Sequence, residues 1–344
     1  MPLPTVSTFS LYFGQRLSTQ SLTRQLAKAN AELSGWKADA GLDLGASLAK
    51  STALRNQITS LDSQINSNKL IGKQLKTQQT VLDNIRANAD AMMKTLISFS
   101  DGKIAANTIR EEAASRLDAL LGSLNTPDER RYLLGGSNTG TPPMKPYDGA
   151  PKAALDAAFQ AKFGFTPDDA RAANIAPDDL KAFLKNEFAA EFADPKWGQN
   201  WSNADDGSRK ARISDSESIE VAASANEQAM RKLAMGYSML KQLAGSKISA
   251  DALKTVVGEA RDLVGAAGPQ LVTIQSRIGV AQSRLDAVTE IMTKSKDFAT
   301  TALQDMEGTD PAEAKTRFDT LQTQIQMSYA QTANLVKLSI LNYV

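Results

Sequence analysis

LVTIQSRIGVAQSRLDAVTEIM, Leu271 to Met292, places Leu271, Ile274, Ile278, Ala281, Leu285, Val288 and Met292 in an unbroken alternation of three and four residues. That step keeps one helix face apolar, so the stretch predicts a long helix with a narrow, coiled-coil-like seam. Downstream, Gly308-Thr309-Asp310-Pro311-Ala312-Glu313 punctuates its end. Asp310 as N-cap, Pro311 at the first helical position and Glu313 at the third predict a further helix running to the terminus. Upstream, Met230, Leu233, Tyr237 and Leu240 mark a shorter helix over Ser224 to Leu243.

The amino-terminal half answers with its own heptads from about Leu44 to Phe99. Leu54, Leu61, Leu75, Leu82, Ala89 and Leu96 share one position; Ile58 and Ile65 fill a neighbouring one in the first half, and Ile85, Met92 and Phe99 fill one in the second. About 55 residues of helix at ~1.5 Å each span roughly 80 Å. A globule of this chain length would be about 50 Å across. The expected fold is therefore mainly α: an elongated rod of long antiparallel coiled-coil-like helices from both termini, carrying a small mixed α/β inserted domain.

The insertion is marked by a change of character. Phe159, Phe163, Phe165, Phe183, Phe188, Phe192 and Trp197 crowd the stretch from Lys145 to Asn200, and FTPDDA and APDDL read as short-helix starts. NWSNADDGSRKARISDSESIEVAAS alternates around Asp206-Gly207 and predicts a hairpin over Trp201 to Val221. Thr126-Pro127-Asp128-Glu129 fits a capping box, but Gly135 follows too soon for a helix to propagate. Thr126 to Arg131 is expected to turn and Arg131 to Leu134 to extend. The segments are 1–145 and 218–344 for the rod and 146–217 for the insertion.

YLLGGSNTGTPPM, Tyr132 to Met144, interrupts the helical pattern. It has neither GxGxxG nor GxxxxGK[ST], and Pro142-Pro143 falls where a phosphate-binding helix would begin. The reading is conformational. Gly135 and Gly136 allow positive φ, and Pro142 and Pro143 impose an extended exit.

Composition removes most chemistry. The chain has no Cys and no His, hence no thiolate nucleophile, no imidazole base and no ordinary zinc site. Asp205-Asp206-Gly207 lacks the ligand spacing of a calcium loop, and Asp178-Asp179 and Glu111-Glu112 read as solvated helix charges rather than acid–base pairs. No cofactor is expected. A net charge of +1, with scattered Lys and Arg, predicts no nucleic-acid partner. MPLPTVSTFSLYFGQRL has no basic n-region and no unbroken apolar core, and no stretch approaches a membrane span, so no membrane partner is expected, and a route out of the cell, if taken, is one without a cleaved signal.

The two ends remain. The last helix aligns Leu321, Ile325, Tyr329, Thr332, Val336, Ser339 and Tyr343, and Leu335, Leu338, Ile340 and Leu341 widen that face beyond what one partner helix covers. Phe9, Leu11, Tyr12, Phe13, Leu17, Leu22, Leu26 and Leu33 make the first helix apolar too. An intramolecular coiled coil explains part of this; the excess points to self-assembly or capture by a partner. On heptads alone a cytoplasmic coiled-coil scaffold protein fits equally well.

LTRQLAKANAELSGWKADAGLDLG (Leu22 to Gly45), the heptads after it and the ending QIQMSYAQTANLVKLSILNYV resemble the bacterial flagellin superfamily, over roughly 1–145 and 218–344. Tyr132, Gly136, Thr139, Thr141, Pro142 and Pro143 are similar to a segment of that superfamily's hook–filament junction members. The usual NTN opening of flagellins is absent, and the insertion is short. The resemblance implies an extracellular axial protein of the flagellum, a non-enzymatic structural part exported by the type III apparatus. It implies self-association in a ring between the first hook-associated protein and flagellin, with an export chaperone on the C-terminal helix. A short flagellin is the alternative within the superfamily.

Overall fold

The computed structural model describes residues 8–341 except 101, 103, 129, 130, 208 and 222; the side chains of 8, 9, 40, 43, 335 and 337–341 also lie outside the described set. The chain is mainly α. In order come α1 (Thr8–Glu32), α2 (Ala40–Asp43), α3 (Leu48–Ser100), α4 (Ala106–Leu124), β1 (Pro127–Asp128), β2 (Arg131–Tyr132), α5 (Ala150–Phe163) and α6 (Pro177–Phe183). They are followed by β3 (Lys210–Arg212), β4 (Ser218–Glu220), α7 (Gln228–Leu243), α8 (Ala250–Glu307) and α9 (Pro311–Leu341). Two compact units result, Met1–Ser63 with Ile291–Val344, and Gln64–Glu290.

Within the Gln64–Glu290 unit, α3 and α8 run antiparallel. Gln275 donates to Asp83 (2.6 Å) and Asn68 to Thr289 (3.2 Å), and Gly72 brings Leu285 within 3.3 Å of where a Cβ would stand. Leu75, Leu82, Ala89 and Leu96 on α3 are buried with Leu271, Ile274, Ile278 and Leu285 on α8. The expected heptads therefore form one seam. The gap they leave between Leu61 and Leu75 is filled by Asn68, itself buried, whose amide also donates to the carbonyl of Ile213 (3.0 Å). A buried amide in an apolar seam is satisfied in only one alignment, so Asn68 selects the register of α3 against α8 and against the residue that follows β3. α4 packs against α7, burying Ile109, Ala113, Leu117 and Leu124 at helical spacing. α7 is buried on nearly every face, from Ala229 to Leu243.

The inserted segment is built on its aromatic residues. Phe159 meets Phe163 and Phe183 edge-on or tilted at 4.8 and 5.5 Å, and the series continues through Phe188 and Phe192 to Trp197 and Trp201, stacked 5.7 Å apart. α6 opens as expected, with Pro177 in its first turn beside Asp178 and Asp179.

Three local expectations change. The hairpin pairs Lys210–Arg212 with Ser218–Glu220, so its turn lies at 213–217 and not at Asp206-Gly207. Trp201 is drawn into the aromatic core, and Asp205 accepts from the amides of Ser137 (2.6 Å) and Gly207 (3.1 Å), which leaves neither free for a hairpin. The strand expected over Arg131 to Leu134 is limited to Arg131–Tyr132, and Pro127–Asp128, expected to lie in a turn, is extended as well. Pro127–Asp128 pairs with Arg131–Tyr132, and a turn follows at once because the Tyr132 amide donates to the carbonyl of Thr139 (2.9 Å). The helix expected from Ser224 begins at Gln228, since Ser224 is bridged to Gly135 and its hydroxyl donates to the carbonyl of Asp205 (3.0 Å).

Gly136 adopts φ +67°, whereas Gly135 does not take a left-handed conformation. Gly135 is required for a different reason: a Cβ there would collide with the carbonyl of Asn138. The Pro142 and Pro143 carbonyls accept from Asn203, through its side chain (3.0 Å) and its backbone (2.8 Å). Asn125, capping α4, accepts from the Met144 amide (2.7 Å) and donates to the Met144 carbonyl (3.0 Å). The 132–144 segment is thus a fastening point where the passages near 125, 203 and 224 meet.

Candidate functional site at the paired terminal helices

In the other unit α1 packs against α9, antiparallel: Gln15 donates to Gln331 (3.0 Å), Thr19 meets Ser328 (2.7 Å), and Arg317 pairs with Glu32 (3.0 Å). Gln15, Thr19, Leu22, Leu26 and Ala29 follow a three-four step on α1 and lose exposure with Ala314, Leu321, Ile325 and Ser328 on α9. The seam is graded. Aliphatic groups fill it near Ala29 and Leu321, and hydroxyls and amides fill it near Gln15 and Ser328.

Larger apolar side chains lie outside the seam. Leu11, Tyr12 and Leu17 on α1, and Met327, Tyr329 and Val336 on α9, are all exposed. Of the residues expected to form the interface, Leu321 and Ile325 are buried within the pair. Leu22, Leu26 and Leu33 are half-buried, and Tyr329 and Val336 face solvent. Tyr343 and the side chains of Leu335, Leu338, Ile340 and Leu341 lie outside the described residues.

α9 starts as its sequence predicts: the Asp310 carboxylate accepts from the Ala312 amide (2.8 Å), with Pro311 first in the helix. The turn before it is tied to the end of α1. The Lys37 amide donates to the Glu307 carbonyl (2.8 Å), the Thr309 amide to the Gly35 carbonyl (3.0 Å), and the Lys37 ammonium to the Met306 carbonyl (2.8 Å). Buried Glu307 accepts from Arg55 and from the Ser51 hydroxyl. Glu307 carries little signal in the sequence beyond being a carboxylate one residue before Gly308 at the end of α8.

The Arg55 guanidinium holds the Glu307 carboxyl below its ordinary range, with Ser51 and the Lys37 charge adding to the effect against burial. A carboxyl depressed in the folded state stabilises above its unfolded pKa and loses that contribution as pH falls through the folded value. The protection factors of the Lys37 and Thr309 amides, taken against their intrinsic exchange rates at each pH, should therefore fall in the wild type as pH drops through the depressed Glu307 pKa. Glu307→Gln should remove that pH step and weaken the corner at neutral pH by about 1 kcal/mol, because Arg55 is largely solvated. Unchanged protection in the variant, with its acid step intact, would assign the step to another group.

Among the described residues no group of three or more His, Cys, Asp or Glu side chains is placed to hold a metal, and no helix is long and apolar enough to cross a membrane. Glu112 pairs with Arg116 (2.6 Å).

Residues 6–139 match the bacterial flagellin N-terminal helical region and residues 262–344 the bacterial flagellin C-terminal helical region. Among solved structures, one from Vibrio parahaemolyticus described as a flagellar hook-associated protein aligns with TM-score 0.53 and 12% identity, over 75% of this chain and 96% of that one. At that identity the likeness is one of fold. FlgL of Bacillus cereus aligns at 12% identity over 73% of this chain and 98% of that one, with a TM-score of 0.43, too weak to carry an argument. No curated protein matches the sequence. With both terminal helical regions matched over more than half of its length, the chain belongs to the bacterial flagellin superfamily of flagellar structural proteins.

Proposed function

We propose that the chain is the hook–filament junction protein, hook-associated protein 3, and that it works by coupled folding and assembly of its terminal helices. The observation that supports this is the graded α1–α9 seam. Its polar end holds the two helices loosely, while Leu11, Tyr12, Leu17, Tyr329 and Val336 stay outside it. Apolar side chains left outside a weak seam are buried only by neighbours. On this reading the neighbours are further copies in a ring, the first hook-associated protein on one side and flagellin on the other. An export chaperone covers the carboxyl-terminal helix before assembly. The protein is exported without a cleaved signal and catalyses nothing.

A short flagellin is the second reading, favoured by the family match itself. The two separate on polymerisation. Purified chain brought to filament-forming conditions, with and without flagellin seeds, should yield no long filaments by negative-stain electron microscopy. Long filaments from this chain alone would establish a flagellin and refute the junction role.

A further inference from the structure

A groove of about 510 Å³ runs beside α1, lined by Arg16, Thr19, Gln20, Thr23, Arg24 and Tyr329. Its two arginines lie eight residues apart, about 12 Å along the helix. Neither has an ion-pair partner among the described residues, and Tyr329 stands 61% exposed at the edge. Elsewhere in the same unit, the outer face of α8 carries Asp297, Phe298, Thr301 and Asp305. These carboxylates are also eight residues apart, about 12 Å, and are likewise unpaired among the described residues. Phe298 is 77% exposed, next to Asp297. Lys294, on the same face, is already engaged within the chain.

We infer that the groove on α1 and α9 of one copy receives the Asp297–Asp305 face of α8 from a second copy. Arg16 and Arg24 meet Asp297 and Asp305 with matching spacing, and the Phe298 ring packs on Tyr329. The chemistry recognised is an apolar ring flanked by two carboxylates at a two-turn helical spacing, which the chain itself supplies. The two surfaces are different patches of one molecule, so the contact is heterologous. Repeated, it closes into a ring rather than a two-fold dimer, as the proposed role requires. Opposite charges also fix direction, since a copy docked groove to groove would set arginine against arginine. This inference rests on the self-association proposed above and names its surfaces.

The chain has no cysteine, which makes cross-linking clean. Full-length Gln20→Cys and Thr301→Cys variants, mixed and oxidised, should form a disulfide between the two chains. Its yield should exceed that of a Gln20→Cys and Thr52→Cys mixture roughly tenfold. Adding Arg16→Glu and Arg24→Glu to the first variant should abolish the cross-link. Adding Asp297→Arg and Asp305→Arg to the second should restore it, an outcome that misfolding cannot produce. Yield no higher than the control pair, or yield insensitive to charge reversal, overturns the inference. If copies still associate by sedimentation while the cross-link fails, only these surfaces are wrong. If sedimentation detects no association at any concentration, both the surfaces and the self-association fail.

Discussion

A chain lacking residues 331–344 is expected to fold as the full chain does and to lose chaperone capture and incorporation at the hook tip. The reason is where these residues sit relative to the seam. Ala314, Leu321, Ile325 and Ser328 are buried against α1, whereas Gln331, Ala333, Asn334 and Val336 are exposed and Thr332 is only half-buried. Burying one aliphatic side chain contributes about 1.5–3 kcal/mol. Truncation keeps those contributions in the pair and removes a tail whose sequence, ANLVKLSILNYV, is its most apolar stretch. Thermal unfolding should shift by no more than a few degrees. Chaperone capture and incorporation at the hook tip should fall to background in pull-down and in complementation of a deletion strain. A truncated chain that is still captured by the chaperone and incorporated at the hook tip would show that the tail is not the contact either step requires. A truncated chain that unfolds would make the tail part of the subunit's own core.

Trp197→Ala should have the largest effect on stability, about 3–5 kcal/mol. Trp197 is fully buried and stacked on Trp201; its indole nitrogen donates to Asn226 (2.7 Å), and the Arg231 guanidinium sits 5.3 Å from its ring. Asn226 in turn donates to the carbonyl of Ala204 (3.0 Å) and accepts from Ser202 (2.7 Å). Removing the indole therefore opens a cavity between Phe192 and Trp201 and leaves that network short of a donor. Chemical denaturation followed by tryptophan fluorescence should show the loss through Trp201, while α1–α9 pairing, read by a cross-link between Gln15→Cys and Gln331→Cys, persists. A cost under about 1 kcal/mol would mean that the site collapses onto its neighbours without a void.

The helices were legible in the sequence because seam positions repeat. Leu271 to Met292 and Leu54 to Leu96 carry a period that only a helix face produces, and Asp310-Pro311 marks a helix start through local bonding. What escaped was set by contacts distant in sequence. Asn68 looks like a fault in its heptad until the carbonyl of Ile213 is placed beside it. Asp206-Gly207 carries a strong turn signal, yet Asp205 is committed to Ser137, so the hairpin turns seven residues later. Gly135 and Gly136 look alike in sequence, but one is set by backbone dihedral and the other by the approach of Asn138. The candidate interface was half legible. The wide apolar face of α9 can be read from spacing, but spacing cannot say that Leu321 and Ile325 face α1 while Tyr329 and Val336 face outward.

A junction protein at the hook tip is distinguished from every other axial protein by its position. A single cysteine at exposed Thr52, labelled in living cells with a membrane-impermeant maleimide dye, marks the protein wherever it lies outside the cell. One compact spot is expected where each filament begins, persisting at the tip of bare hooks when filament growth is blocked. Label spread along the filament would make the chain a flagellin, and label absent from the flagellum while the protein accumulates in the cytoplasm would rule out a flagellar role altogether.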